Sequence, residues 1–270
     1  DCPDDQRVKG LHITKCMRFE TPFQNKEGLD SRQEQMEQWG VEVTEDFEKA
    51  IDGCDAVMLE INDPLPHLDF FTKCADLGVP VFLDKPIADT LANGRRIVEI
   101  AKEKNTKVFS SSSLRFSSQL VDASAQLPSP TTGMIYGPLG EAPAGSSVVW
   151  YGVHSFEMLV RVMGTGAAKL TSVKNDSGVI SVVDYPDGRT GIVDLKDDVY
   201  IYGGMLRNSD TSVSFAVNVS AIYTELLREL AAFFLGGDSP VNPNETPEIM
   251  ALLEAADSSA VSGKSINISI

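Results

Sequence analysis

The segment VPVFLDKPIAD, residues 79–89, sets two charged side chains where an apolar run ends and then stiffens that point with proline. Pro86 keeps Lys85 out of helical conformation. In extended backbone neighbouring side chains point to opposite sides, so Asp84 and Lys85 are expected to diverge. A lysine restrained at the carboxyl end of a strand can donate a proton to a substrate or anchor it. The same residues also suit a solvated strand end, and spacing alone does not choose. His154 sits in WYGVHSFEMLVRVMG, where residues 154, 157 and 161 share a helical face as a His-Glu-Arg stripe. Val153, Phe156, Val160 and Met163 fall on the apolar side. The stripe is either a solvated polar face or the lining of a cleft in which Glu157 holds the imidazole in one tautomer. His67 opens a helix after a turn with two prolines, which suits a neutral imidazole near a ligand and equally a local cap. His12 reads as a strand-surface residue.

The elements that must position these residues alternate from residue 11 to about 116. LHITKCM reads as a strand, SRQEQMEQWG as a helix stopped at Gly40, and VEV as a very short strand. Thr44 is the expected cap of the next helix, with Glu45 and Asp46 in its first turn. DAVMLEI, VPVFL and KVFSSSS are strands, and LPHLDFFTKCADLG and TLANGRRIVEIAKEKN the helices between them. This alternation predicts βαβ units and a parallel sheet covered on both faces. Ligands of such a sheet sit outside the carboxyl ends of its strands, which singles out INDPLPH, DKP and SSSSLRF. After Phe116 a stretch rich in proline and glycine leads to one helix over about 152–163. Antiparallel strands follow in AKLTSVKN, VISVVDYPDGRTGIVDL, VYIYGGML and TSVSFAVNV, with a hairpin turn at YPDGRTG. Two helices close the chain, the second with Thr246 as cap and Pro247 at its first position. Residues 1–116 and 117–270 are therefore read as two domains.

A chain of 270 residues has room for both. Its 39 acidic residues against 23 basic ones give a formal charge of −16, which repels phosphate backbones and argues against nucleic acid as a partner. No apolar run approaches the roughly 18 residues that span a membrane, and no signal peptide is apparent. Cys2, Cys16, Cys54 and Cys74 lack CxxC or metal-ligand spacing, so reduced thiols, a cytoplasmic location and no bound metal are expected. The opening DCPDDQRVKG is polar, turn-like and without methionine, so the natural N-terminus is expected upstream.

The run DAVMLEINDPLPHLDFFTKCADLGVPVFLDKPIADT, the helix GVHSFEML and the ending YTELLRELAAFFLGGDSPVNPNETPEIMALLEAADSSAVSGKSINI together resemble the Gfo/Idh/MocA family, from about residue 11 to the end. The resemblance implies a Rossmann domain for NAD or NADP, then an α+β domain with a large open antiparallel sheet. That sheet would carry a sugar or polyol site and often a homo-oligomer interface. Lys85 matches the lysine of the family's Glu-Lys-Pro motif, with Asp84 in place of the glutamate. His154 matches the histidine of its Gly-x-His helix, and Arg115 lies in the equivalent of its Arg-Phe turn. Asn62, Pro64 and His67, with Asp84 and Lys85, fall at the nicotinamide end of the cofactor. Two departures stand out. Trp150 replaces an aspartate four residues before the histidine, which suits a stacking surface for a sugar ring. The first strand and its glycine-rich loop are not found, so the 11–17 and 54–61 strands are expected to flank a slot one strand wide. Dinucleotide binding by these 270 residues alone is expected to be poor.

On this reading Lys85 polarises a substrate oxygen, and His154 takes or relays the hydroxyl proton as hydride leaves carbon. Glu157 orients His154, while Trp150, Tyr151 and Arg115 line the substrate pocket. Arg18, in KCMRFE with no acid at the strand tip, could meet a 2′-phosphate and admit NADP. The function implied is an NAD(P)-dependent oxidoreductase acting on a sugar, polyol or related secondary alcohol. Two alternatives stay open: redox-neutral glycoside cleavage with tightly bound NAD, and ligand binding without catalysis.

Overall fold

The computed structural model describes residues 3–270, so Cys2 lies outside the described residues. Alternation of short strands and helices builds the first part: β1 (Lys15–Met17), α1 (Lys26–Gln38), β2 (Glu42–Thr44), α2 (Phe47–Ile51) and β3 (Val57–Leu59). It continues with α3 (His67–Cys74), β4 (Val81–Leu83), α4 (Leu91–Lys104) and β5 (Val108–Ser110). All the pairings are parallel, but they make two sheets, β1–β2 and β3–β4–β5. β1 is not hydrogen-bonded to β3, so the two strands do not pair directly.

Alternation along β4 explains how the three-stranded sheet is covered. Val81 and Leu83 join a buried cluster with Phe71, Ile97 and Leu120 on one side. Phe82 points the other way, with Phe109 of β5. Their rings meet edge-on at 5.0 Å, and Phe109 meets Phe233 at 4.9 Å. Phe233 belongs to α8 (Ile222–Phe234), so a helix from late in the chain covers the second face of the parallel sheet.

Between these parts lie α5 (Ser118–Gln126), β6 (Thr132–Pro138), α6 (Ser147–Trp150) and α7 (Val153–Met163). Then come β7 (Lys169–Asn175), β8 (Gly178–Asp184), β9 (Thr190–Lys196), β10 (Gly203–Arg207) and β11 (Ser212–Ala216). After α8, α9 (Glu245–Ser262) and β12 (Ile266–Asn267) end the chain. The seven strands run in the order β11-β10-β6-β9-β8-β7-β12, antiparallel except for β6 beside β9. The expected turn at YPDGRTG joins β8 to β9, with Tyr185 N–H donating to Arg189 C=O at 3.1 Å. α7 and α9 pack one face of this sheet through Phe156, Leu159 and Leu252, all fully buried.

Side-chain caps move several boundaries. Asp46, not Thr44, caps α2 by accepting from Lys49 N–H, while Thr44 instead accepts from Asp46 N–H. α9 starts at Glu245, one residue before the expected cap Thr246, because Thr246, Pro247 and Glu248 are themselves buried in the helix's first turn. The SSSS strand stops at Ser110, since Ser112 Oγ accepts from Leu114 N–H and starts a tight turn over 113–116. His12 is exposed but precedes β1 and is not on a strand.

Candidate active site

The carboxyl ends of β3, β4 and β5 meet α6 and α7 at one place. Leu59 pairs with Leu83 and Leu83 with Ser110, so Asp84 and Lys85 emerge beside Ser111 and Ser112. Lys85, joined to Pro86 by a cis peptide bond, is largely covered. Its Nζ lies 3.8 Å from Asp84 Oδ2 and 6.0 Å from the centre of the Trp150 ring. The two side chains therefore converge rather than diverge, because the four-carbon stem of lysine is flexible enough to bring its ammonium back to the carboxylate. Trp150, the last residue of α6, donates Nε1–H to Asn62 C=O and Oδ1 at 3.1 and 3.2 Å, and packs against Phe23 and Tyr151. Glu60, next after β3, is solvent-exposed at the same edge.

His154 enters from the start of α7 and is half-buried. Its Nδ1 is 2.7 Å from Ser112 Oγ, and its ring meets Tyr151 at 5.2 Å and Tyr202 at 5.9 Å. Burial, and then the charge of Lys85, hold its pKa well below the usual imidazole value, so the ring is neutral at physiological pH. Two glycines make room for these tyrosines. A Cβ on Gly137 would stand 2.7 Å from the Tyr202 ring, and one on Gly140, at φ +67°, 2.7 Å from the ring of Tyr151.

Five predicted site residues, Arg115, Glu157, His67, Pro64 and Arg18, have other partners or surroundings. Arg115 is 2% exposed and pairs with Glu157 at 3.0 Å and with Glu245 at the start of α9. Its guanidinium is committed to this buried triad, so it does not form a wall of the cleft. Glu157 is likewise bound to Arg115 and touches the Ser112 backbone N–H rather than the imidazole. Burial raises its pKa and Arg115 opposes the shift. The His-Glu-Arg stripe is thus divided: His154 at the cleft, Glu157 in the core and Arg161 exposed. His67 is fully buried, its ring nitrogens 3.1 Å from Ile87 O and 2.7 Å from Ile61 O. It ties the Asn62 and Lys85 loops together instead of facing a ligand, and Pro64 is buried beside it. Arg18 is bound to Asp30 at 2.8 Å and to Gln33. Ser112, Tyr202, Tyr223 and Glu60 were not singled out from sequence. For Ser112 the signal was present in the SSSSLRF run; for Tyr202, just before β10, and Tyr223 of α8 there was none.

Residues 26–112 match the Gfo/Idh/MocA model, described as an oxidoreductase family with an NAD-binding Rossmann fold. That segment belongs to the Gfo/Idh/MocA family. No curated protein matches the chain. Among solved structures, a myo-inositol dehydrogenase from Lactobacillus casei in complex with NAD(H) and myo-inositol superposes with TM-score 0.83 at 13% identity, covering 97% of this chain and 91% of that one. A myo-inositol 2-dehydrogenase from Lactobacillus plantarum gives 0.80 at 13%, covering 97% and 93%. An oxidoreductase from Agrobacterium radiobacter in complex with NAD+, L-tartaric acid and magnesium gives 0.77 at 16%, covering 97% and 92%. At these identities the likeness is one of fold, and it extends beyond the matched segment to the seven-stranded sheet.

The Gfo/Idh/MocA segment fits a nicotinamide at its reacting end. Asn62, Asp84 and Lys85 stand at the strand ends, with the flat Trp150 ring against them. Arg18, just after β1, is paired with Asp30 at 2.8 Å. No group of three or more metal-ligating side chains occurs among the described residues.

Proposed function

We propose that the protein is an NAD-dependent oxidoreductase that oxidises a secondary alcohol on a sugar-like or cyclic polyol substrate. The observation that carries this reading is the convergence of Lys85, from the end of β4, with His154, from α7, at a cleft walled by Trp150 and Tyr151. With its nicotinamide end beside Asn62, Asp84 and Lys85, NAD would supply a hydride acceptor. Lys85 and His154 are the polar groups that handle the hydroxyl, and Trp150 offers a flat face for the carbon side of the ring. The myo-inositol complex of the similar fold supports the substrate class. Engagement of Arg18 with Asp30 favours NAD over NADP, since a 2′-phosphate would have to break that pair.

On the same reading residues 3–116 form the cofactor domain and 117–270 the substrate and oligomer domain. The outer sheet face supports the last role. Met205, Met134, Ile192 and Val182 stand side by side in register, half-buried and apolar, on the face opposite α7 and α9.

The test is to incubate the purified protein with NAD and a panel of cyclic polyols and sugars, and to follow reduced nicotinamide. NADH formed in proportion to oxidised product supports the proposal. Product without net cofactor change would replace it by redox-neutral cleavage, and ligand binding without product by a non-catalytic role.

A further inference from the structure

Hydrogen-bond accounting at Ser112 decides what His154 can do with a substrate oxygen. Ser112 is 0% exposed, so its hydroxyl has no access to water. Its Oγ has two neighbours among the described residues: Leu114 N–H at 3.2 Å and His154 Nδ1 at 2.7 Å. A serine hydroxyl carries one donor hydrogen and two acceptor sites. The Leu114 N–H uses one acceptor site. The donor hydrogen has one acceptor left, His154 Nδ1; turned round, with Nδ1–H donating, it would be buried without a partner, at a cost of about 1–3 kcal/mol. Nδ1 is therefore the unprotonated nitrogen, and the neutral ring carries its hydrogen on Nε2. Ser112 itself is held in place: Arg115 N–H donates to its carbonyl at 3.2 Å, and its own N–H meets the Glu157 carboxylate that Arg115 pins.

We propose that His154 is a neutral hydrogen-bond donor to the substrate oxygen rather than the base, and that Ser112 is the positioning residue that fixes this tautomer. The inference rests on the oxidoreductase reading above and reverses the division of labour expected from the sequence. In the oxidation, Lys85 reacts from its free-amine form, having first released its own proton to solvent: the hydroxyl O–H bond breaks, its proton passes to the amine Nζ, and the Asp84 carboxylate 3.8 Å away holds the ammonium that forms. A bound oxidised nicotinamide would supply the acceptor for the C–H electron pair, which leaves as hydride. His154 Nε2–H keeps its hydrogen throughout and stabilises the negative charge that develops on oxygen. A neutral ring is suited to this, because an imidazolium would surrender its proton to the alkoxide.

Nitrogen-15 NMR of the imidazoles reads the tautomer without any turnover, and with three histidines in the chain, single His12→Gln and His67→Gln variants assign the signals. The expected spectrum at neutral pH shows His154 protonated at Nε2 alone, and Ser112→Ala should convert it to a mixture of tautomers. A His154 protonated at Nδ1, or one indifferent to Ser112→Ala, overturns the proposal. Kinetics give an independent readout once a substrate is found. His154→Gln keeps an N–H donor but cannot act as a base, so kcat should fall about tenfold, against a factor on the order of 10² to 10³ for His154→Ala. Equal losses in both variants would make His154 the base. Failure to reduce NAD with any substrate would count against the oxidoreductase reading and leave the tautomer result standing.

Discussion

Lys85 is the residue whose change should separate chemistry from binding. Its ammonium sits at the reacting end of the cleft, between Asp84 and Trp150, and is not placed to hold a pyrophosphate. Lys85→Met should leave NAD affinity and the unfolding midpoint close to wild type, while turnover falls by a factor on the order of 10². Isothermal titration and initial rates on one preparation check both halves, and near-normal turnover would remove the lysine from the mechanism. Arg115 should behave in the opposite way. Arg115→Ala leaves the Glu157 carboxylate buried and unpaired and the half-buried Glu245 without its partner, a loss of about 3–5 kcal/mol in urea unfolding at pH 7. The sign of its pH dependence follows from Glu157. A carboxyl raised in the folded state binds its proton more tightly there than in the unfolded chain. Its contribution is therefore most favourable below the ordinary carboxylate pKa and is lost as pH rises through the raised one. Without Arg115 that pKa rises further, so the deficit of the variant should be smaller at pH 5 than at pH 7.

Among the elements, α8 has the most to explain, because it reaches back from the end of the chain to complete the parallel sheet. Its Leu226, Leu230 and Phe233 meet Phe82 and Phe109 of β4 and β5, and its first turn carries Tyr223. The electrostatic coupling of Tyr223 to Asp84, Tyr151 and Glu60 puts it near the cleft. Phe233→Ala should cost about 3–5 kcal/mol as a fully buried aromatic truncation. Because β4 and β5 end at Lys85 and Ser112, loosening this helix should also raise KM, as measured by substrate titration. A destabilised variant with unchanged KM would uncouple α8 from the site. The two-rung ladder between the turn after β5 and α7, Ser112 to His154 and Arg115 to Glu157, works at the same scale. Spacing of three residues on each side puts both rungs in line, so one ion pair sets the height of the imidazole.

For the whole molecule, the apolar line Met205, Met134, Ile192 and Val182 lies on a sheet face without helices. If a second copy covers it, Ile192→Glu should convert the assembly to monomers in light scattering, with secondary structure intact by circular dichroism. A wild-type protein that is monomeric at micromolar concentration would refute the interface. The formal charge of −16 sets long-range repulsion against this association, so the assembly should tighten as salt screens it. None of the helices among the described residues is long and apolar enough to cross a membrane.

Local signals in the sequence sufficed wherever local physics decides. The apolar runs VML, VFL and VFS can only be strands buried in a parallel sheet, the Asp-Gly turn can only fold back on itself, and Lys-Pro at a strand end holds the lysine at the sheet's edge. That Lys85, His154 and Trp150 belong to one site was not legible from those local signals; it was implied by the resemblance to the Gfo/Idh/MocA family. What tertiary structure alone decided is which charges are already spent. Arg115 and Arg18 look like free cations in the sequence, yet the acids that neutralise them lie 42 and 130 residues away for Arg115 and 12 for Arg18. The same holds for His154. Its helix and its face follow from periodicity, but its tautomer depends on a serine 42 residues earlier, sealed from water by packing. A strand or a turn is fixed by neighbours along the chain, whereas the partner of a buried polar group is fixed by whatever the fold brings within about 3 Å of it.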